Sequence, residues 1–230
     1  MDSATDSQLT SVLLTMGIVG PLLFIVIFLL EDLTRPGFSP WRDFVSSLAL
    51  SSQGWEQIAN FIICGLCVVG FSIGVRQVMP TGPAHLWGPL LLAIFGLSLI
   101  VAGIFVTDPS LGYPPGAAVV QTWHGTIHGL NAPIAFGSVT AAAFVFSRRF
   151  LADPPRRSFG RYSLISGAAL LIAFIGSIAL ATLDQKGVIP NAPVGILESA
   201  AIIIGWIWVA ALGIRFRQDL HASGRMAMGR

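Results

Sequence analysis

Charge is what this sequence has least of. Asp, Glu, Lys and Arg make up 10% of its 230 residues, and the formal net charge is only +2. Soluble domains carry roughly 25% charged residues, so a soluble globular protein is excluded for a chain that is 54% apolar. The small net charge also argues against nucleic-acid binding. Cysteine is nearly missing. Cys64 and Cys67 both fall inside one apolar run, which reads as packing of small apolar side chains rather than a disulfide framework. The first apolar run is expected to be a transmembrane helix rather than a secretory signal. It follows an acidic leader, MDSATDSQ, is too long for a signal core and meets no small-residue cleavage site.

What is present is a series of six long apolar runs, at 9–30, 57–79, 86–107, 124–147, 162–183 and 195–215. A hydrocarbon core about 30 Å thick needs about 20 apolar residues per helix. The expected fold is therefore all-α, a polytopic membrane protein with six transmembrane helices in a single domain over 1–230. Gly70 and Gly74 on the second run, and Gly88, Gly96 and Gly103 on the third, have the small-residue spacing that lets helices approach closely. Pro21 and Pro133 are expected to kink helices one and four.

Lys and Arg near helix ends set orientation. Arg76, the RRFLADPPRRSFGR loop and the four arginines after the sixth run give ten basic residues on one side. Only Arg35, Arg42 and Lys186 lie on the other. This bias places both termini in the cytoplasm, with contact between the basic loop and anionic membrane lipid. In the first outer loop, Ser39 as N-cap and Pro40 at the first helical position predict a short helix. Trp41, Phe44, Val45 and Leu48 would share one face of it, as a helix lying in the membrane interface does. Trp55 would sit at headgroup level.

The scarce ionisable groups gather at the outer level. Asp43, Glu56, Asn60, Asp108, His124, His128, Asn131, Asp184 and Glu198 all fall near outward helix ends. His124, His128 and Asn131 are spaced i, i+4, i+7 and share a face of helix four. Lipid-facing carboxylates cost roughly 2.5–3.5 kcal/mol each on insertion scales, so the expectation is an outward-open polar pocket between helices two, three, four and six. Three readings stand side by side. The cluster pins helices together; or Asp108, His124 and His128 ligate a divalent metal such as zinc, with Ser46 or Ser47 positioning water or substrate for a lipid hydrolase; or a metal-free pocket holds a lipid headgroup or small solute. The metal reading lacks the glutamate that an HExxH motif places between its histidines. Haem is excluded, because two histidines one turn apart cannot grip opposite faces of one haem. Transport is a further alternative, set against the lack of a helix broken in mid-membrane. Association into a homo- or hetero-oligomer is left open, since glycine faces serve packing within and between chains alike.

Three ordered segments resemble the Domain-of-Unknown-Function 998 family: RDFVSSLALSSQGWEQIANFIICGLCVVGFSIGVR, GLSLIVAGIFVTDPSLGYPPGA and WHGTIHGLNA. The family's motifs fall on Ser47, Leu48, Gly54, Trp55, Asn60, Phe61, Gly103, Phe105, Asp108, Pro109 and His128. The resemblance implies a six-helix protein of a bacterial inner membrane and no particular activity. More distantly, the polar set is similar to that of intramembrane hydrolases such as alkaline ceramidases, which have seven helices and three zinc-binding histidines.

Overall fold

A computed structural model describes residues 3–79 and 81–228. Its helices are α1 (Ser3–Thr34), α2 (Trp55–Val78), α3 (Pro83–Ile104), α4 (Trp123–Leu151), α5 (Arg157–Gln185) and α6 (Val194–Met228). All six are long and apolar enough to cross a membrane, and the described residues include no strand. Each helix packs against its neighbours in sequence, and α6 closes the ring against α1.

The helices run past the apolar stretches that nucleate them. α1 continues through Glu31 and Asp32 to Thr34, because Glu31 pairs with Arg35 and Asp32 buries a carboxylate oxygen in the protein interior instead of ending the helix. Pro21, Pro133 and also Pro89 lie inside continuous helices. Pro89 adds an interior proline in α3 to the two expected.

Glycine lets the backbones meet. A Cβ built on Gly65 would stand 2.6 Å from the Gly96 carbonyl oxygen, and one on Gly96 would stand 2.8 Å from the Gly65 oxygen. The α2–α3 contact therefore depends on the absence of both side chains. Gly70 and Gly74 face α1 in the same way, through Met16 and Leu13. Both cysteines are free.

The centre of the ring is filled by aromatics. Trp206 of α6 sits 5.4 Å from Phe24 of α1, 4.8 Å from Phe95 of α3 and 6.1 Å from Phe136 of α4, centroid to centroid. The outer faces remain apolar, with Ile63, Leu97, Ile134 and Ile172 exposed, as a lipid-facing surface requires. Trp41, Trp55 and Trp123 are exposed at one end, and Trp87 and Tyr162 at the other. Two belts of amphipathic rings at the limits of an apolar band match the two membrane–water interfaces.

The ends differ in charge. Arg76, Arg148, Arg149, Arg156, Arg157, Arg161, Arg215 and Arg217 share one end, where Arg225 also falls in sequence; Arg230 lies outside the described residues. At the opposite, carboxylate-rich end the first loop forms a 3₁₀ helix, η1 (Val45–Leu50). This corrects the expected interfacial helix. Ser39 is no helix cap; its amide donates to Asp43 Oδ2 at 2.8 Å. Val45, Ser47 and Leu48 are buried, so η1 is tucked against α1, α2 and α6 rather than laid on a membrane surface.

Candidate functional site

Most carboxylates at this end are spent on structure. Asp184, near the C-terminus of α5, accepts from Arg42 Nε at 3.1 Å and Nη2 at 2.5 Å, and from the Ala192 amide at 2.8 Å. Trp41 Nε1 donates to Asn191 O at 3.0 Å, and the Gly195 amide donates to Trp41 O at 3.0 Å. Phe38 meets Tyr113 edge-on at 5.2 Å, and Leu111 packs with Ala181, Ala192 and Val194. The loops after α1, α3 and α5 thus interlock over the end of the bundle.

A second network lies between α1 and α2. Arg35 bridges Glu31 and Glu56 and also donates to Gln53. Burial alone would push the Arg35 guanidinium down, but hydrogen bonds to Glu31 and Glu56 more than offset it and leave its pKa raised. Asn60 donates to Phe24 O at 3.1 Å and to Gln57 Oε1 at 3.0 Å. Asp43 is held above the usual carboxylate range by burial, against the opposing Ser39 amide and Arg42. Ser47 is buried, and its Oγ has no hydrogen-bond partner among the described residues.

The residues of the α3–α4 junction divide. Asp108 accepts from the Thr122 amide at 2.8 Å and from Thr122 Oγ1 at 2.7 Å, and Thr122 in turn caps α4 through the Gly125 amide at 3.0 Å. Its carboxylate reinforces a helix start, where negative charge is favoured. His124 lies against Trp123 and Phe105, with ring centroids 3.9 and 5.5 Å away. His128 and Asn131 turn to the same helix α3 at greater depth. His128 Nδ1 lies 2.8 Å from Phe105 O, and Asn131 Nδ2 donates to Ser98 O at 2.8 Å. Phe105 O lies just past the last turn of α3, where helix carbonyls lack intrahelical partners, whereas Ser98 O belongs to the helix interior.

These positions do not bring Asp108, His124 and His128 together. Asp108 accepts from Thr122, His124 lies tilted against Trp123 and Phe105, and His128 turns to Phe105 O. Among the described residues no group of three or more His, Cys, Asp or Glu side chains converges to hold a metal.

What does converge is smaller and deeper. His128, Asn131 and Glu198, each about nine-tenths buried, line a cavity of about 40 Å³ together with Ser46, Phe61 and Trp206. Its walls come from α2, α3, α4 and α6, with η1 above. Asp43, Ser47, Glu56, Asn60, Asp108 and His124 are not among its lining residues. Glu198, His128 and Asn131 present acceptors, beside the Ser46 hydroxyl and the Trp206 indole N–H, which has no hydrogen-bond partner among the described residues. Glu198 Oε2 takes the Val45 amide at 2.6 Å, which leaves its second oxygen. A proton on His128 Nδ1, directed at Phe105 O, leaves Nε2 as an acceptor in the neutral ring. Asn131 spends its amide nitrogen on Ser98 and keeps its oxygen.

Glu31, Asp32, Arg35 and Gln57 were not among the expected site residues, although Glu31, Arg35 and Gln57 are all buried. The signal was available in EDLTR at the end of the first run: acid and arginine at i, i+4, placed where an apolar helix tolerates charge only if it faces inward.

The model of the family described as "Protein of unknown function (DUF998)" matches residues 18–215. The chain belongs to that family. No curated protein and no solved structure matches it.

Proposed function

We propose that this multi-pass membrane protein binds a protonated amine in the cavity between His128, Asn131 and Glu198. The observation that carries the reading is the set of acceptors on an otherwise largely apolar cavity: Glu198, His128 and Asn131 border it, with His128 Nδ1 turned to Phe105 O and an Asn131 N–H to Ser98 O. A ligand that supplies donors and positive charge is complementary to this set. The rings of Phe61 and Trp206 on the same cavity add the negative faces that attract a cation. A volume of about 40 Å³ suits an ammonium group or the amine end of a longer molecule. Both a free amine and an amine-bearing lipid headgroup supply that chemistry.

The membrane assignment we attach to this reading is a bacterial inner membrane, with the arginine-rich end in the cytoplasm. The distribution of basic residues, ten against three, supports it through the positive-inside rule. The amine site would then lie in the outer third of the bilayer.

Calorimetric titration of the purified protein tests the binding. Methylammonium should give saturable heat, and tetramethylammonium, which has no N–H donor and a larger head, should give none. Equal binding of the two would replace hydrogen-bonded recognition with a plain aromatic cation site. No heat from either would end the proposal.

A further inference from the structure

Grooves open at the arginine-rich end, and the charges of three of them differ. In the first, which Arg149 also borders, Arg156 is neutralised by Asp153 at 3.0 Å and by Asp219 at 3.1 Å. In the second, Arg215 lies 3.6 Å from Asp219. The third runs between α3 and α4 and holds about 480 Å³, bordered by Gly82, Pro83, Trp87, Val145, Arg148 and Arg149. Neither Arg148 nor Arg149 forms an ion pair among the described residues. The groove therefore carries two positive charges that no carboxylate pairs with among the described residues.

Its other walls say what the counter-charge is attached to. Trp87 is exposed at the rim, and the exposed Leu86 and Leu90 continue an apolar surface along α3 towards mid-bundle. α3 begins at this groove without a side-chain cap, so the positive end of its dipole adds to the arginines. A soluble anion would find the charges but waste the apolar wall. A phospholipid uses both, with the phosphate on the guanidinium groups and an acyl chain along α3. We propose that the α3–α4 groove binds the phosphodiester headgroup of an anionic phospholipid through Arg148 and Arg149, with Trp87 at its rim. This site is independent of the amine cavity at the other end.

Native mass spectrometry of the full chain in detergent, titrated with phosphatidylglycerol or phosphatidylcholine of the same acyl chains, tests it. Phosphatidylglycerol should bind in preference. The double substitution Arg148→Gln and Arg149→Gln should lower its affinity on the order of tenfold or more, since each basic residue near an anionic headgroup contributes about 1 kcal/mol. Removing the same charge from exposed positions on α5, Arg157→Gln with Arg161→Gln, should leave the affinity within about twofold. Circular dichroism confirms that both variants keep their helices. The proposal is overturned if the α5 variant loses as much as the groove variant, which would mean diffuse surface attraction. It is also overturned if the two lipids bind alike, or if millimolar inorganic phosphate displaces the lipid.

Discussion

Glu198 of α6 and Val45 of η1, 153 positions apart in the chain, are joined by a hydrogen bond of 2.6 Å from the Val45 amide to the Glu198 carboxylate. One oxygen thus fixes the 3₁₀ helix over the bundle, and the carboxylate also borders the cavity beneath it. The two roles are separable. Glu198→Gln keeps an acceptor for the amide and removes the charge, whereas Glu198→Ala removes both. The Ala variant should lose about 2 kcal/mol, the cost of an unsatisfied buried amide, and the Gln variant less than half of that. Thermal unfolding in detergent reads the difference, and equal losses would contradict the assignment.

Among the described residues Arg35 is the only cation that pairs with Glu31, which is buried. Replacing Arg35 with Met leaves that carboxylate uncompensated and should destabilise the fold by about 3 kcal/mol. Adding Glu31→Leu to Arg35→Met should recover most of the loss, because the pair is then replaced by apolar packing. A double variant no more stable than Arg35→Met alone would show that the ion pair is not what the substitution broke.

Burial holds Asp43 above its ordinary value of 3.8, with the Ser39 amide and Arg42 opposing the shift and Asp184 adding to it. The folded chain therefore holds this proton more tightly than the unfolded chain. Its stabilising effect is fully present below pH 3.8 and is lost as pH rises through the folded value. Asp43→Asn keeps an acceptor for the Ser39 amide and does not titrate. Relative to that variant, the wild-type unfolding midpoint should fall as pH is raised from below 3.8. A pH-independent difference between the two would remove Asp43 as the source.

Asp108 works on the start of α4 and not on the cavity. Asp108→Ala should cost about 1 kcal/mol through the weakened cap, with methylammonium affinity unchanged within about twofold. A variant that folds normally but no longer binds the amine would place Asp108 in the site after all.

The sequence made depth legible and left rotation hidden. Six spans follow from hydropathy alone, and Asp108, His124, His128 and Glu198 were correctly set near one end, because rise per residue converts position into height. Which neighbour each side chain meets depends on how each helix is turned about its axis and on what the loops insert between them. Asp108 and His128 lie at the same end of the bundle, yet Thr122 takes one and Phe105 the other. The first loop could not be read as η1, because its apolar residues fit an amphipathic surface helix as well as a buried turn. The polar pocket became a small, largely apolar cavity for the same reason: the interlocking of Arg42 with Asp184, and of Trp41 with Asn191, is tertiary and leaves no local pattern.

Titrating methylammonium into the wild type and into Glu198→Gln at neutral pH bears most directly on the amine site. Saturable heat in the wild type, with affinity reduced at least about tenfold in the Gln variant, is the predicted result. Equal affinities in two folded proteins would contradict it, since the carboxylate at the cavity would then contribute nothing to recognition.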